Sequence, residues 1–182
     1  TARLRVLQSN TFWLSLTPEV PGSKSWDAAI TRIVTWAKFK DRVTKKIFFA
    51  FNTHFDHIGN EARRESAKLL LQKVNEIARG IPVLITGDFN ARPSDEPIRV
   101  IKDAADPLHF TDTKEISATP HYGPTGTFNA FRSKETDDQP IDYIFTRGNW
   151  KVLRHATISQ TWEGRFASDH FAVLVTMHLL KK

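Results

Sequence analysis

Apolar and polar positions change period several times along the chain, and each change marks an element. Leu4 to Leu16 alternates loosely, like a strand already under way, and then meets the Pro/Gly/Ser-rich loop TPEVPGSKSWD. In AAITRIVTWAKF, Ile30, Arg32, Val34 and Trp36 alternate against Thr31, Ile33, Thr35 and Ala37. Both sets are partly apolar, which predicts a strand covered on two sides. DRVTKK is a polar turn and IFFAFNTHF a second dense strand, so the pair reads as an antiparallel hairpin.

The period then becomes helical. In EARRESAKLLLQKVNEIARG, Ala67, Leu70, Leu71, Val74, Ile77 and Ala78 follow the i, i+3, i+4, i+7 rule. Asn60 is the expected cap and Gly80 the expected stop. A strand follows at Val83–Thr86, and a short helix is predicted around Pro97–Ala104. The chain is loop-rich from DPLHFTDT to RSKETDDQP, with HYGPTGTFNAF at the centre. IDYIFTR, WKVLRHATIS and FAVLVTMHLL read as three closing strands. Strands, one helical crossover and more strands predict a mixed α/β layered fold.

Composition narrows this picture. The 182 residues are 40% hydrophobic, enough for one substantial core, and no repeat or linker divides residues 1–182. A single domain is expected. No apolar run approaches membrane-spanning length. The absence of cysteine excludes disulfides and thiolate zinc sites and is compatible with any compartment. A formal charge of +6, spread along the chain, weakly favours an anionic partner. The first residue is Thr and no leader precedes the first strand, so the chain is expected to start inside a larger protein.

Candidate chemistry collects where the strands end. IFFAFNTHFDH ends in His54, Asp56 and His57; PVLITGDFN ends in Asp88 and Asn90; IDYIF begins with Asp142; ASDHFAVLV begins with Asp169 and His170. Each has an ordinary explanation alone. Gly87–Asn90 reads as a turn whose side chains bond their own backbone, and the histidines as satisfied polar residues at strand ends. Together they form the set needed for phosphate chemistry with a hard cation: oxygen ligands, an acid and a group to orient water.

In that order, NTHFDH, GDFNARP, IDYIF and SDHFAV resemble the endonuclease/exonuclease/phosphatase superfamily, of the deoxyribonuclease I-like type. The resemblance implies a four-layered α/β sandwich, two packed mixed sheets with helices outside. It implies Mg²⁺ (or Mn²⁺) as cofactor. Asp88 and Asn90 then orient the water, bind metal and hold the phosphate; Asp169 is a metal-site aspartate. His170 is the base or the stabiliser of phosphoryl oxygens, and Asp142 its orienting partner. His54 is a candidate acid or phosphate ligand, and His57 a further phosphate contact. Phe128 and Phe131, with the tryptophans, offer stacking faces, although Trp36 especially is expected in the core.

Two features depart from the family pattern. Gln139 and Pro140 stand where a basic residue usually precedes the aspartate of IDY. The family's opening asparagine strand and its metal-binding glutamate have no match; Asn10 lies before TFW and Glu19 lies in a loop. The chain thus corresponds to the C-terminal two-thirds of such a domain. A sheet without its first strands exposes apolar edges, so the front portion is expected as a separate chain or as preceding sequence. The expected activity is metal-dependent hydrolysis of a phosphoester by water. A nuclease-like phosphodiesterase acting on nucleic acid is preferred, against a small-molecule phosphatase or an inactive binding module of the same fold.

Overall fold

The structure is a computed structural model and describes residues 2–132 and 139–180. In chain order its elements are β1 (Leu4–Trp13), β2 (Ile33–Asp41), β3 (Ile47–His54), α1 (Asn60–Ala78), β4 (Val83–Asp88) and α2 (Glu96–Lys102). These are followed by β5 (Thr111–Asp112), β6 (Asp142–Arg147), β7 (Trp150–Ile158) and β8 (Ala172–Leu179). Six strands form one mixed sheet in the order β1-β2-β3-β4-β6-β5, and β7 and β8 form a second. The expected β2–β3 hairpin is antiparallel, and α1 is the crossover that makes β3 and β4 parallel.

Alternation along the central strands explains the layers. Phe49 and Phe51 of β3 and Val83 and Ile85 of β4 join Leu70, Leu71 and Val74 of α1 and Ile98 and Ile101 of α2 in one buried cluster. Each such large side chain contributes about 1.5–3 kcal/mol by leaving water. The opposite positions serve the second sheet. Phe48 meets Trp150 of β7 edge-on at 5.5 Å, and Leu84 lines the cleft shared with Met177 and Leu179 of β8. This is the expected α/β sandwich with helices outside the larger, mixed sheet, while the second sheet is a two-stranded antiparallel pair rather than mixed. Among the described residues no helix covers the β7–β8 sheet.

Several boundaries differ from the sequence expectation. β2 begins at Ile33, because 28–32 belong to the preceding loop. β4 runs two residues further, to Asp88. Asn60 is the first helical residue rather than the cap. Gly59 holds the cap position, and the carboxylate of the distant Asp27 accepts the N–H groups of Glu61 and Ala62 at 3.2 and 2.7 Å. A Cβ on Gly59 would lie 2.5 Å from Asp27 Oδ1, so glycine is what admits this cap. Within the stretch expected as loop, Thr111–Asp112 adds a two-residue edge strand to β6. Residues 133–138 of that loop lie outside the described residues.

Candidate active site

Register builds the site. In the parallel β3–β4 pair His54 stands opposite Asp88, and in the antiparallel β4–β6 pair Asp88 stands opposite Asp142. Three neighbouring strands therefore end in a row of an imidazole and two carboxylates. Gly87 allows the close approach: its φ is +154° and a Cβ there would fall 2.0 Å from the Thr53 carbonyl oxygen. After Asp88 the chain drops Phe89 fully into the core, against Phe55 at 4.9 Å. Asn90 returns to the surface in the left-handed region, at φ 47°.

Asp88 and Asn90 satisfy both readings of GDFN. The Asn90 N–H donates to Asp88 Oδ1 at 2.8 Å, the local turn, while His54 Nε2 donates to Asp88 Oδ2 at 3.1 Å. The Asn90 amide nitrogen donates to the Phe55 carbonyl at 3.0 Å, which fixes the side chain and leaves its oxygen available. Burial raises the Asp88 pKa, but the hydrogen bond from His54 and the N–H of Asn90 outweigh it and hold the group below the usual carboxylate range. Asp88 is a carboxylate at neutral pH.

His170 arrives from the turn before β8. Its Nδ1 donates to Asp142 Oδ2 at 2.8 Å, and its Nε2 lies 3.9 Å from Asp88 Oδ2. Burial lowers the His170 pKa, yet the hydrogen bond and charge of Asp142, with Asp88 and Asp169 nearby, leave it above the ordinary value. Asp142 is raised, chiefly by burial. The edge of one ring meets the other where Phe128 covers His170, with centroids 5.0 Å apart.

The loop carrying Phe128 is tied to the same place. Asn129 and Ala130 donate their N–H groups to the Asp169 carbonyl at 2.7 and 3.1 Å. Thr127 is 1% exposed, and its Oγ1 accepts the N–H groups of Ile141 and Asp142 at 3.0 and 3.2 Å. Its carbonyl accepts the N–H of Phe171 at 2.7 Å. One residue thus joins the backbone under Asp142 to the backbone beside His170.

One ligand atom from each of Asp88, Asp142 and His170 falls within 4.8 Å of the others, a group able to hold a metal ion. Carboxylate oxygens suit a hard divalent cation such as Mg²⁺ or Mn²⁺, which keeps several waters. Asp142 is already engaged by His170, and Asp169, the expected metal-site aspartate, is not part of this group.

The structure brings His54, Asp88, Asn90, Asp142 and His170 together, with Asp169 and Phe128 at the margin. His57 is exposed and accepts from Arg32 Nη2 at its Nδ1, 3.2 Å away. Asp56 is 1% exposed and organises the loop, accepting the N–H groups of Ile30, Ile58 and Gly59. Glu19 is bound by Lys73 of α1 at 2.7 Å, and Asn10 Oδ1 caps its own neighbour Thr11 at 2.8 Å. Two residues escaped the sequence reading. Thr127 carried no signal, but Arg32 did: it is a charge on the Ile30–Trp36 alternation, the face that carries buried Val34 and Trp36. Burial lowers the Arg32 pKa against the attraction of Asp56 and Asp88.

Comparison with known proteins identifies the family and the fold. A protein of Acanthamoeba polyphaga mimivirus is 35% identical over 171 residues, covering 90% of this chain. This chain spans 62% of that relative's length. The endonuclease/exonuclease/phosphatase protein of Bacteroides vulgatus superposes with a TM-score of 0.91 at 38% identity, covering 99% of this chain and 68% of that one. The mannosyl-6-phosphatase of Bacteroides thetaiotaomicron gives 0.91 at 36% identity, covering 98% and 68%. Residues 8–170 match the family itself, so the chain belongs to the Endonuclease/Exonuclease/phosphatase family.

Proposed function

We propose that this chain carries the hydrolytic site of a divalent-metal-dependent phosphoesterase that uses water as the nucleophile. The observation that carries the reading is Asp88 between two imidazoles, His54 at 3.1 Å and His170 at 3.9 Å, with Asp142 behind His170 at 2.8 Å. Asp88, ionised, accepts a proton from water, and Asn90 Oδ1 helps orient that water. His170 is held by Asp142 with its Nε2 forward and its pKa raised, so it stabilises charge growing on the phosphoryl oxygens. His54, exposed and hydrogen-bonded to Asp88, is placed to donate a proton to the departing alkoxide. A divalent cation held by Asp88, Asn90 and Asp169 would act as Lewis acid on the phosphoryl oxygens.

Among esters, the mannosyl-6-phosphatase at 36% identity favours a phosphomonoester of a small polar alcohol over the nuclease-type diester of the sequence reading. Purified protein is assayed with Mg²⁺ or Mn²⁺ on a sugar monophosphate and on single-stranded DNA, with EDTA as control. Metal-dependent phosphate release, reduced at least about 10³-fold in His170→Ala, is expected. DNA cleavage with the same losses reinstates the nuclease. Folded, metal-supplied protein that hydrolyses neither means that this chain holds only part of the site, and raises the inactive binding module.

A further inference from the structure

Arg32 lies just before β2, two residues before the Val34–Thr53 pair, at the sheet end that carries His54. Its side chain is 12% exposed, and its Nε is buried with no hydrogen-bond partner, 3.8 Å from Asp56. Asp56 is already occupied: its Oδ1 accepts from Ile30 and its Oδ2 from Ile58 and Gly59, at 3.2, 3.0 and 2.7 Å. A buried guanidinium short of acceptors carries a desolvation cost that an incoming anion relieves.

The partner at the other end of the guanidinium matters as much. Arg32 Nη2 is 3.2 Å from His57 Nδ1. Guanidinium donates only, so Nδ1 accepts and the ring proton of neutral His57 sits on Nε2. Exposed His57, three residues beyond His54, is thereby preset as a donor. Arg32 and His57 together offer donors and no acceptor.

We propose that Arg32 and His57 form an anion subsite for non-bridging phosphate oxygens, and that this subsite selects a phosphomonoester over a phosphodiester. A monoester carries about −1.5 to −2 charge at neutral pH and three terminal oxygens. A diester carries one negative charge, and an esterified oxygen replaces one of those acceptors. The inference rests on the phosphoesterase reading and adds the charge class of its substrate.

The test has two arms. In the first, kcat/KM is measured with Mg²⁺ for p-nitrophenyl phosphate and bis(p-nitrophenyl) phosphate, which share a leaving group. Arg32→Gln and the exposed His57→Gln are each expected to lower the monoester-to-diester ratio at least about tenfold, and Arg32→Lys to recover part of it. A ratio within twofold of the parent in His57→Gln and in folded Arg32→Gln overturns the proposal. The second arm needs no turnover. The ¹⁵N resonances of His57 are followed during titration with inorganic phosphate and then dimethyl phosphate. A saturable response stronger for phosphate, weakened about tenfold in Arg32→Gln, supports the subsite. No response, or an equal one to both anions, overturns it. If neither ester is hydrolysed, this chain holds only part of the hydrolytic site, and the second arm alone decides the subsite.

Discussion

Single residues set how rigidly the site is held. Thr127 accepts two half-buried N–H groups beneath Asp142, and removing its hydroxyl takes that partner from both. Thr127→Val is expected to cost about 2 kcal/mol of stability and to lower kcat about tenfold, while Thr127→Ser restores both. Urea unfolding and steady-state kinetics on the three proteins check this; a Val variant with native kcat would sever Thr127 from the site. His155 of β7 carries a pH prediction. His121 Nε2 donates to the Pro124 carbonyl, so its Nδ1 must accept from His155 Nδ1, 2.9 Å away. Burial, with His121 and Lys114 nearby, pushes the His155 pKa down to about 4. The folded pKa is below the unfolded one near 6.5, so the unfolded chain binds more protons between those values. Stability is fully present above pH 6.5 and is lost as pH falls toward 4. About 2 kcal/mol is expected to disappear between pH 7 and pH 5, seen as a falling urea midpoint. His155→Asn, which keeps a donor without the titration, should flatten that slope.

At the scale of elements, local pattern identified α1, β3 and β6 well because their periods are strong and their burial one-sided or complete. It misplaced the cap of α1, since the acceptor comes from Asp27, a residue 34 positions before the first N–H it binds. Asp27→Ala is expected to lower the melting temperature, with Asp27→Asn lowering it less. Thermal melts of the two variants measure this, and equal melting points for parent and Asp27→Ala would mean that water caps the helix as well. The two-residue β5 was unreadable for a different reason. Thr111 and Asp112 are a strand only because β6 offers them an edge, and two residues carry no period.

The whole molecule brings acid groups together that its net charge of +6 does not reveal. Asp88 and Asp142 repel one another when ionised, and a bound cation relieves that repulsion in the folded state alone. Saturating Mg²⁺ or Mn²⁺, at about 100 times Kd, should stabilise EDTA-stripped protein by about 2.7 kcal/mol, an effect lost in Asp88→Asn. An identical melting shift in parent and variant would place the ion elsewhere. No helix among the described residues is long and apolar enough to cross a membrane. Sequence by itself determined the mixed α/β class, the main elements and the motif residues His54, Asp88, Asn90, Asp142 and His170. Those follow from period, composition and motif order, which are written locally. Only the tertiary structure decided which of them touch, that Asp56 serves its loop, that Arg32 meets Asp56 and His57, and that Thr127 braces Asp142. Their roles depend on strand register and on partners far along the chain, and one-dimensional pattern carries no information about such distances.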